Sequence, residues 1–183
     1  MFINDIHIFW YVGIGILGLL IGKFLGLVNT NLPEHKKIFS MPIIKDYIKN
    51  TNTDYIMMMI ISVLYIFLLL AIGIEDKLKL IQFLLLTPML VSAFCIDYKL
   101  QIIPNRLTLT MFETGIVFSF LRGLNNLNVA VEMWLGMILG AGIFIILTFL
   151  GNIVFKKETM GFGDVKLMGA LGLFFGWRNI IAI

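Results

Sequence analysis

Residues 55–74 read YIMMMIISVLYIFLLLAIGI, a run without a single charged side chain. A hydrocarbon core of about 30 Å is crossed by roughly 20 apolar residues in a helix, so this run predicts a transmembrane span. Leu80 to Ile96 and Met133 to Phe155 are also free of charge. Ile8 to Pro33 carries one charge, Lys23, near an end where its stem can snorkel to the interface. Pro104 to Leu121 is a fifth candidate, interrupted by Arg106 and Glu113. Val165 to Ile183 begins a sixth, which the end of the sequence cuts short. The fold expected is all-α: a polytopic transmembrane helical bundle of about six spans, the last truncated, forming one domain over 1–183. The first span is too long, and too poor in preceding basic residues, for a cleavable signal peptide.

Composition leads the same way. The chain is 60% hydrophobic and 14% charged, where soluble domains carry about 25% charged residues; its mean hydropathy is +0.98. One cysteine excludes an intrachain disulfide and a tetracysteine zinc site. So apolar a chain is not disordered. The partner expected first is the lipid bilayer, with no nucleic acid.

The basic residues sort by connection. Lys36, Lys37, Lys45 and Lys49 lie between the first two spans, Lys99 and Arg106 between the third and fourth, and Lys156, Lys157 and Lys166 between the fifth and sixth or just beyond. The alternate connections hold only Lys77, Lys79 and Arg122. Nine against three puts the first group in the cytoplasm by the positive-inside rule, with the N-terminus outside. Gly18, Gly22 and Gly26 recur every four residues, as do Gly136 and Gly140, and Gly172 and Gly176. Such spacing serves close helix packing in lipid, within the bundle or, alternatively, in a homo-oligomer.

Of eleven acidic residues, Asp5, Glu34, Asp46, Asp54, Glu75, Asp76 and Glu158 fall in polar connections, and Glu132 borders the outer end of a span. Glu113 is mid-span, where it is expected to face the bundle or hold a proton. Asp97 and Asp164 remain, each at the cytoplasmic end of a span. Asp97 opens the run Asp97-Tyr98-Lys99-Leu100-Gln101-Ile102-Ile103-Pro104-Asn105-Arg106-Leu107, in which Pro104 suits the first position of a new helix. Asp164 lies in Met160-Gly161-Phe162-Gly163-Asp164-Val165-Lys166-Leu167. Its two glycines permit a backbone other residues could not follow, or one pressed against a neighbour. Asp164 then starts a helix, where the dipole favours negative charge.

Two spans separate Asp97 from Asp164, so both carboxylates return to the same membrane face. Two carboxylates in a partly dehydrated site cannot both ionise cheaply, and a shared proton results. One partner then takes a proton from water while the other donates to a scissile carbonyl, which is aspartic peptidase chemistry. The same residues allow other readings. The acids could be helix-end caps or ion-pair partners of Lys99 and Lys166, each two positions away. A proton- or cation-coupled transporter would use such a pair. A catalytically silent assembly factor would need neither residue.

The Gly-x-Gly-Asp-x-Lys-Leu run at Gly161 to Leu167, after the run from Asp97 through Pro104 and Asn105 to Thr108, resembles the type IV prepilin leader peptidases, membrane aspartic peptidases of the GxGD type. A weaker likeness lies in Gly22-Lys23-Phe24-Leu25-Gly26-Leu27-Val28-Asn29-Thr30-Asn31-Leu32-Pro33, similar to a Gly-Ser-Phe-Leu-Asn…Arg-Leu-Pro segment ending that family's first span. The resemblance implies Asp97 and Asp164 as the catalytic pair, with Gly161 and Gly163 shaping the turn, and motif support from Pro104, Asn105 and Lys166, the last without an assignable role. It implies a prepilin-like precursor with a short basic leader, cut at the cytoplasmic face of the bacterial cytoplasmic membrane, with no metal and no cofactor.

The chain departs from that pattern in places. Many members carry a zinc-binding tetracysteine segment after the first span and also methylate the new N-terminus; Asn29 to Asp54 here is short and lacks cysteine. Lys23 and Gly26 replace the first-span Ser and Asn. N-methyltransferase activity is therefore not expected. Members usually continue beyond the second aspartate motif, which is the ground for expecting truncation. Cys95 lies near Asp97 and is read as a small apolar residue rather than a nucleophile. His7 and His35 make no metal motif. Asn105 and Asn152 are candidate helix-end hydrogen-bonding groups.

Overall fold

The computed structural model describes residues 2–3, 6–31, 55–156 and 161–180. The basic cluster from Lys36 to Lys49, the Leu32-Pro33 end of the first-span segment, Lys157, Met160 and Ile183 lie outside the described residues. Six long helices account for nearly all of the rest: α1 (Ile8–Asn31), α2 (Tyr55–Ile72), α3 (Lys77–Leu100), α4 (Asn105–Asn125), α5 (Leu127–Phe155) and α6 (Phe162–Ile180). The all-α expectation holds. Before α1, the two-residue strands β1 (Phe2–Ile3) and β2 (Ile6–His7) pair antiparallel. Five helices, α1 to α5, are long and apolar enough to cross a membrane.

The helices gather into two compact units, Met1–Gln101 and Ile102–Ile183. The first is built on α1, α2 and α3. Its close approach depends on two glycines at helical spacing. A Cβ at Gly18 would stand 2.6 Å from Ser62 Cα, and one at Gly22 would collide with the Met58 backbone. Ser62 Oγ donates to Gly15 O at 3.0 Å across the same seam. The α1 stripe is thus packing material within this unit, as close-packed small residues in lipid usually are.

Pro88 sits inside α3 and is buried. Proline has no N–H, so the carbonyl four residues earlier, Leu84 O, loses its helical donor. Tyr65 of α2, only 1% exposed, supplies the replacement: its hydroxyl donates to Leu84 O at 2.7 Å. An unmet carbonyl within lipid costs several kcal/mol; the tyrosine removes that cost and ties α2 to the helix that carries Asp97.

In the second unit α5 and α6 are in backbone contact. A Cβ at Gly140 would lie 2.6 Å from Met168 O, and Gly136 and Gly172 leave no room for a methyl group between them. A Cβ at Gly115 of α4 would lie 3.0 to 3.2 Å from Leu173 and Phe174 of α6. Gly176 has φ 73° and ψ 168° and breaks the helical path of α6, a conformation open to glycine and to few other residues. Past this break Arg178 reaches Glu132 at 3.4 Å. Glu113 is exposed on its unit and does not face that unit's own core. Met111, Gly115 and Phe118 occupy the buried side of α4 instead, and their spacing turns position 113 outward.

Candidate active site

Asp97 lies in the last turn of α3. The helix does not stop at this residue as the span ending at Ile96 implied; it continues to Leu100, and Gln101 closes it in the left-handed region with φ 53° and ψ 35°. The Gln101 N–H donates to Asp97 O at 2.7 Å, so this carbonyl is the cap acceptor while the exposed side chain is left to solvent or ligand. Lys99 stands in the same turn, where a cation complements the negative helix end.

Behind Asp97, α3 is fixed to the first span. Ser92 Oγ donates to Asn29 Oδ1, which joins the weaker first-span segment to α3 five residues before the aspartate. The Asn29 Nδ2 is buried without a partner. Cys95 is half-buried with its Sγ 4.0 Å from Met57 Sδ, consistent with a packing role between α2 and α3.

The second motif opens α6. Phe162 and Gly163 are its first residues and Asp164 lies in its first turn, where the helix dipole favours a carboxylate. The Asp164 N–H donates to Gly161 O at 3.1 Å, and its side chain is half-buried. The two glycines differ. A Cβ at Gly163 would come 3.3 Å from Ile103 Cβ, whereas at Gly161 the nearest atoms are 3.9 Å away. Neither is among the residues with positive φ. Close approach therefore accounts for Gly163, and nothing in the structure accounts for Gly161.

Pro104 is the N-cap of α4 rather than its first residue. Its carbonyl accepts from Leu107 N at 3.0 Å and Thr108 N at 3.3 Å, which begins the helix. Asn105 follows as the first helical residue. Its side-chain Oδ1 accepts from Lys166 Nζ at 3.0 Å, and its carbonyl from Thr108 Oγ1 at 3.0 Å. The second unit thus brings together Ile103, Pro104, Asn105, Gly163, Asp164 and Lys166. Asp97 belongs to the first unit.

The salt-bridge reading of the lysines is not met: no ion pair joins Lys99 to Asp97 or Lys166 to Asp164 among the described residues. Residues two apart on a helix point to opposite sides, so neither lysine can easily turn back to its aspartate. The described residues hold no group of three or more His, Cys, Asp or Glu placed to bind a metal. Sequence reasoning missed the Lys166–Asn105 and Ser92–Asn29 bonds. Lys166 did carry a signal: a cation so near a positive helix end gains nothing from the dipole and needs another partner.

Membrane-length helices, with one aspartate at the end of α3 and another at the start of α6, define a polytopic helical bundle. Residues 84–183, which include both aspartate motifs, match the type IV leader peptidase family, and since this is over half of the sequence, the chain belongs to that family. It is 37% identical over 97 residues to the prepilin leader peptidase/N-methyltransferase of Aeromonas hydrophila, covering 53% of this chain and 32% of that protein. With the enzyme of the same name from Escherichia coli K12 it shares 35% over 85 residues, 46% of this chain and 36% of that one. With the leader peptidase HopD of Escherichia coli the figures are 35% over 87 residues, 48% and 54%. The chain spans about a third of the first two relatives and about half of the third. No solved structure matches it.

Proposed function

We propose that this chain is an aspartic endopeptidase that removes the basic leader from prepilin-like precursors, with Asp97 and Asp164 as its catalytic pair. The observation that carries the reading is that the two motifs, in family order, fall within the matched segment and each sets a carboxylate at a helix end. Support from topology comes from α4 and α5, two membrane-length helices between them, since an even number of crossings returns the chain to one face. The positive-inside rule makes that face cytoplasmic, where a basic leader would be held, in the bacterial cytoplasmic membrane.

The chemistry needs one proton shared by two carboxyl groups. The ionised carboxylate accepts a proton from water as the oxygen attacks the scissile carbonyl. The protonated partner donates to the carbonyl oxygen, giving a neutral gem-diol. Its collapse breaks the C–N bond as a proton passes to the leaving amine, and the pair again holds one proton. With one cysteine the chain has no tetracysteine segment, and the activity proposed is the peptidase step alone.

Coexpression with a prepilin carrying a basic leader tests the reading. The unaltered chain should shorten the precursor, and Asp97→Asn and Asp164→Asn should each abolish shortening. Unimpaired processing by either variant removes that residue from the pair. Altered proton or cation flux with cleavage absent throughout would favour a transporter.

A further inference from the structure

From the Lys166–Asn105 bond we infer that Lys166 is a positioning residue that fixes the turn presenting Asp164; the inference rests on the peptidase reading above. Asp164 is bracketed in sequence by two attachments to one short segment. One residue before it, Gly163 is pressed against Ile103, 3.3 Å from that residue's Cβ to where its own would be. Two residues after it, Lys166 Nζ binds Asn105 Oδ1 at 3.0 Å. Ile103 and Asn105 flank Pro104, the N-cap of α4. The first turn of α6 is thereby held at two points to the segment that starts α4, one on each side of its N-cap, with Asp164 between them.

The side-chain chemistry suits a clamp. An ammonium on an amide oxygen is a charge-assisted bond, stronger than a neutral one. Asn105 accepts without adding a negative charge, so the bond brings no third carboxylate beside the reacting group. Because residues two apart on a helix face away from each other, Lys166 grips α4 on one side while Asp164 projects from another. Among the described residues no hydrogen bond or ion pair engages the Asp164 carboxylate, which leaves it available for water and substrate. Ile103, Pro104 and Asn105 also continue the motif that starts at Asp97, so the clamp links the second aspartate to the tail of the first aspartate's own sequence motif.

Displacing a catalytic group by about 1 Å costs on the order of 100-fold in rate. Lys166→Met and Asn105→Ala should each lower kcat about 10- to 100-fold with little change in KM, and the double variant should fall no further than the worse single one. Lys166→Arg, which keeps a charged donor, should recover part of the loss. Unchanged kcat in either single variant, or losses that multiply in the double, would overturn the inference. A second readout does not depend on cleavage. A nitroxide attached at Asp164→Cys, in a Cys95→Ser background, should become more mobile on Lys166→Met and on Asn105→Ala, to the same degree as in the double. Unaltered mobility would overturn the clamp. If the unaltered chain cuts no precursor, the peptidase reading fails while the nitroxide result still decides whether the clamp exists.

Discussion

Tyr65 and Pro88 compensate one another across two helices: the proline deprives Leu84 O of its helical donor, and the tyrosine hydroxyl takes that donor's place at 2.7 Å. The relationship matters to the site because α3 runs from Pro88 to the turn that carries Asp97, so the tyrosine completes the hydrogen bonding of the helix on which the aspartate rides.

Tyr65→Phe should therefore cost about 1–3 kcal/mol, the range for leaving a buried acceptor unmet. Pro88→Ala restores an N–H at position 88, so adding it to Tyr65→Phe should return most of that loss. Reversible unfolding of the purified chain in mixed micelles measures both. Equal stability of the double and the Tyr65→Phe single variant would refute the compensation.

The Ser92–Asn29 bond yields a second cycle of the same kind. Ser92→Ala strands an amide whose Nδ2 already lacks a partner and should cost about 1–3 kcal/mol. Replacing both residues with apolar ones (Ser92→Ala with Asn29→Leu) removes the stranded group and should be milder than Ser92→Ala alone. The same unfolding measurement reads the difference.

Gly163→Ala and Gly161→Ala separate two glycines that look equivalent in the motif. The first forces Ile103 to give way from 3.3 Å, and the second meets nothing closer than 3.9 Å. Precursor cleavage should fall about tenfold or more for Gly163→Ala, as a displaced turn would cause, and stay within about twofold for Gly161→Ala. A reversed order would show that Gly161 serves the substrate rather than the fold.

Membrane sidedness is testable with an impermeant thiol reagent in a Cys95→Ser background. Lys99→Cys and Lys156→Cys should label from the cytoplasmic side and Arg122→Cys from the opposite side, following the charge distribution. Labelling of Lys99→Cys and Lys156→Cys from opposite sides would separate the two aspartate motifs by the thickness of the membrane.

Much of the helical plan could be read from hydropathy, because a membrane span must be long, apolar and hydrogen-bonded within itself. The uncharged runs at Tyr55 and Met133 became α2 and α5. The start of α6 was legible too, since Asp164 suits a helix N-terminus and occupies one. Helix ends were less so. Nothing local in Asp97-Tyr98-Lys99-Leu100 marks Gln101 as the left-handed closing residue, a position more often given to glycine. Partners distant in sequence were not legible at all. Lys166 and Asn105 are 61 positions apart, and only tertiary packing reveals that the lysine serves the asparagine and not the neighbouring aspartate. By spacing Gly176 is one more member of a small-residue stripe, and only its backbone angles mark the break.

The proposed peptidase chemistry requires that Asp97 and Asp164 meet. Asp97→Cys and Asp164→Cys, combined in a Cys95→Ser chain and treated in native membranes with a short bifunctional thiol reagent, report on it directly. An intramolecular cross-link should form as readily as in a control pairing Lys166→Cys with Asn105→Cys. A control that links while the 97–164 pair never does would contradict the aspartic mechanism.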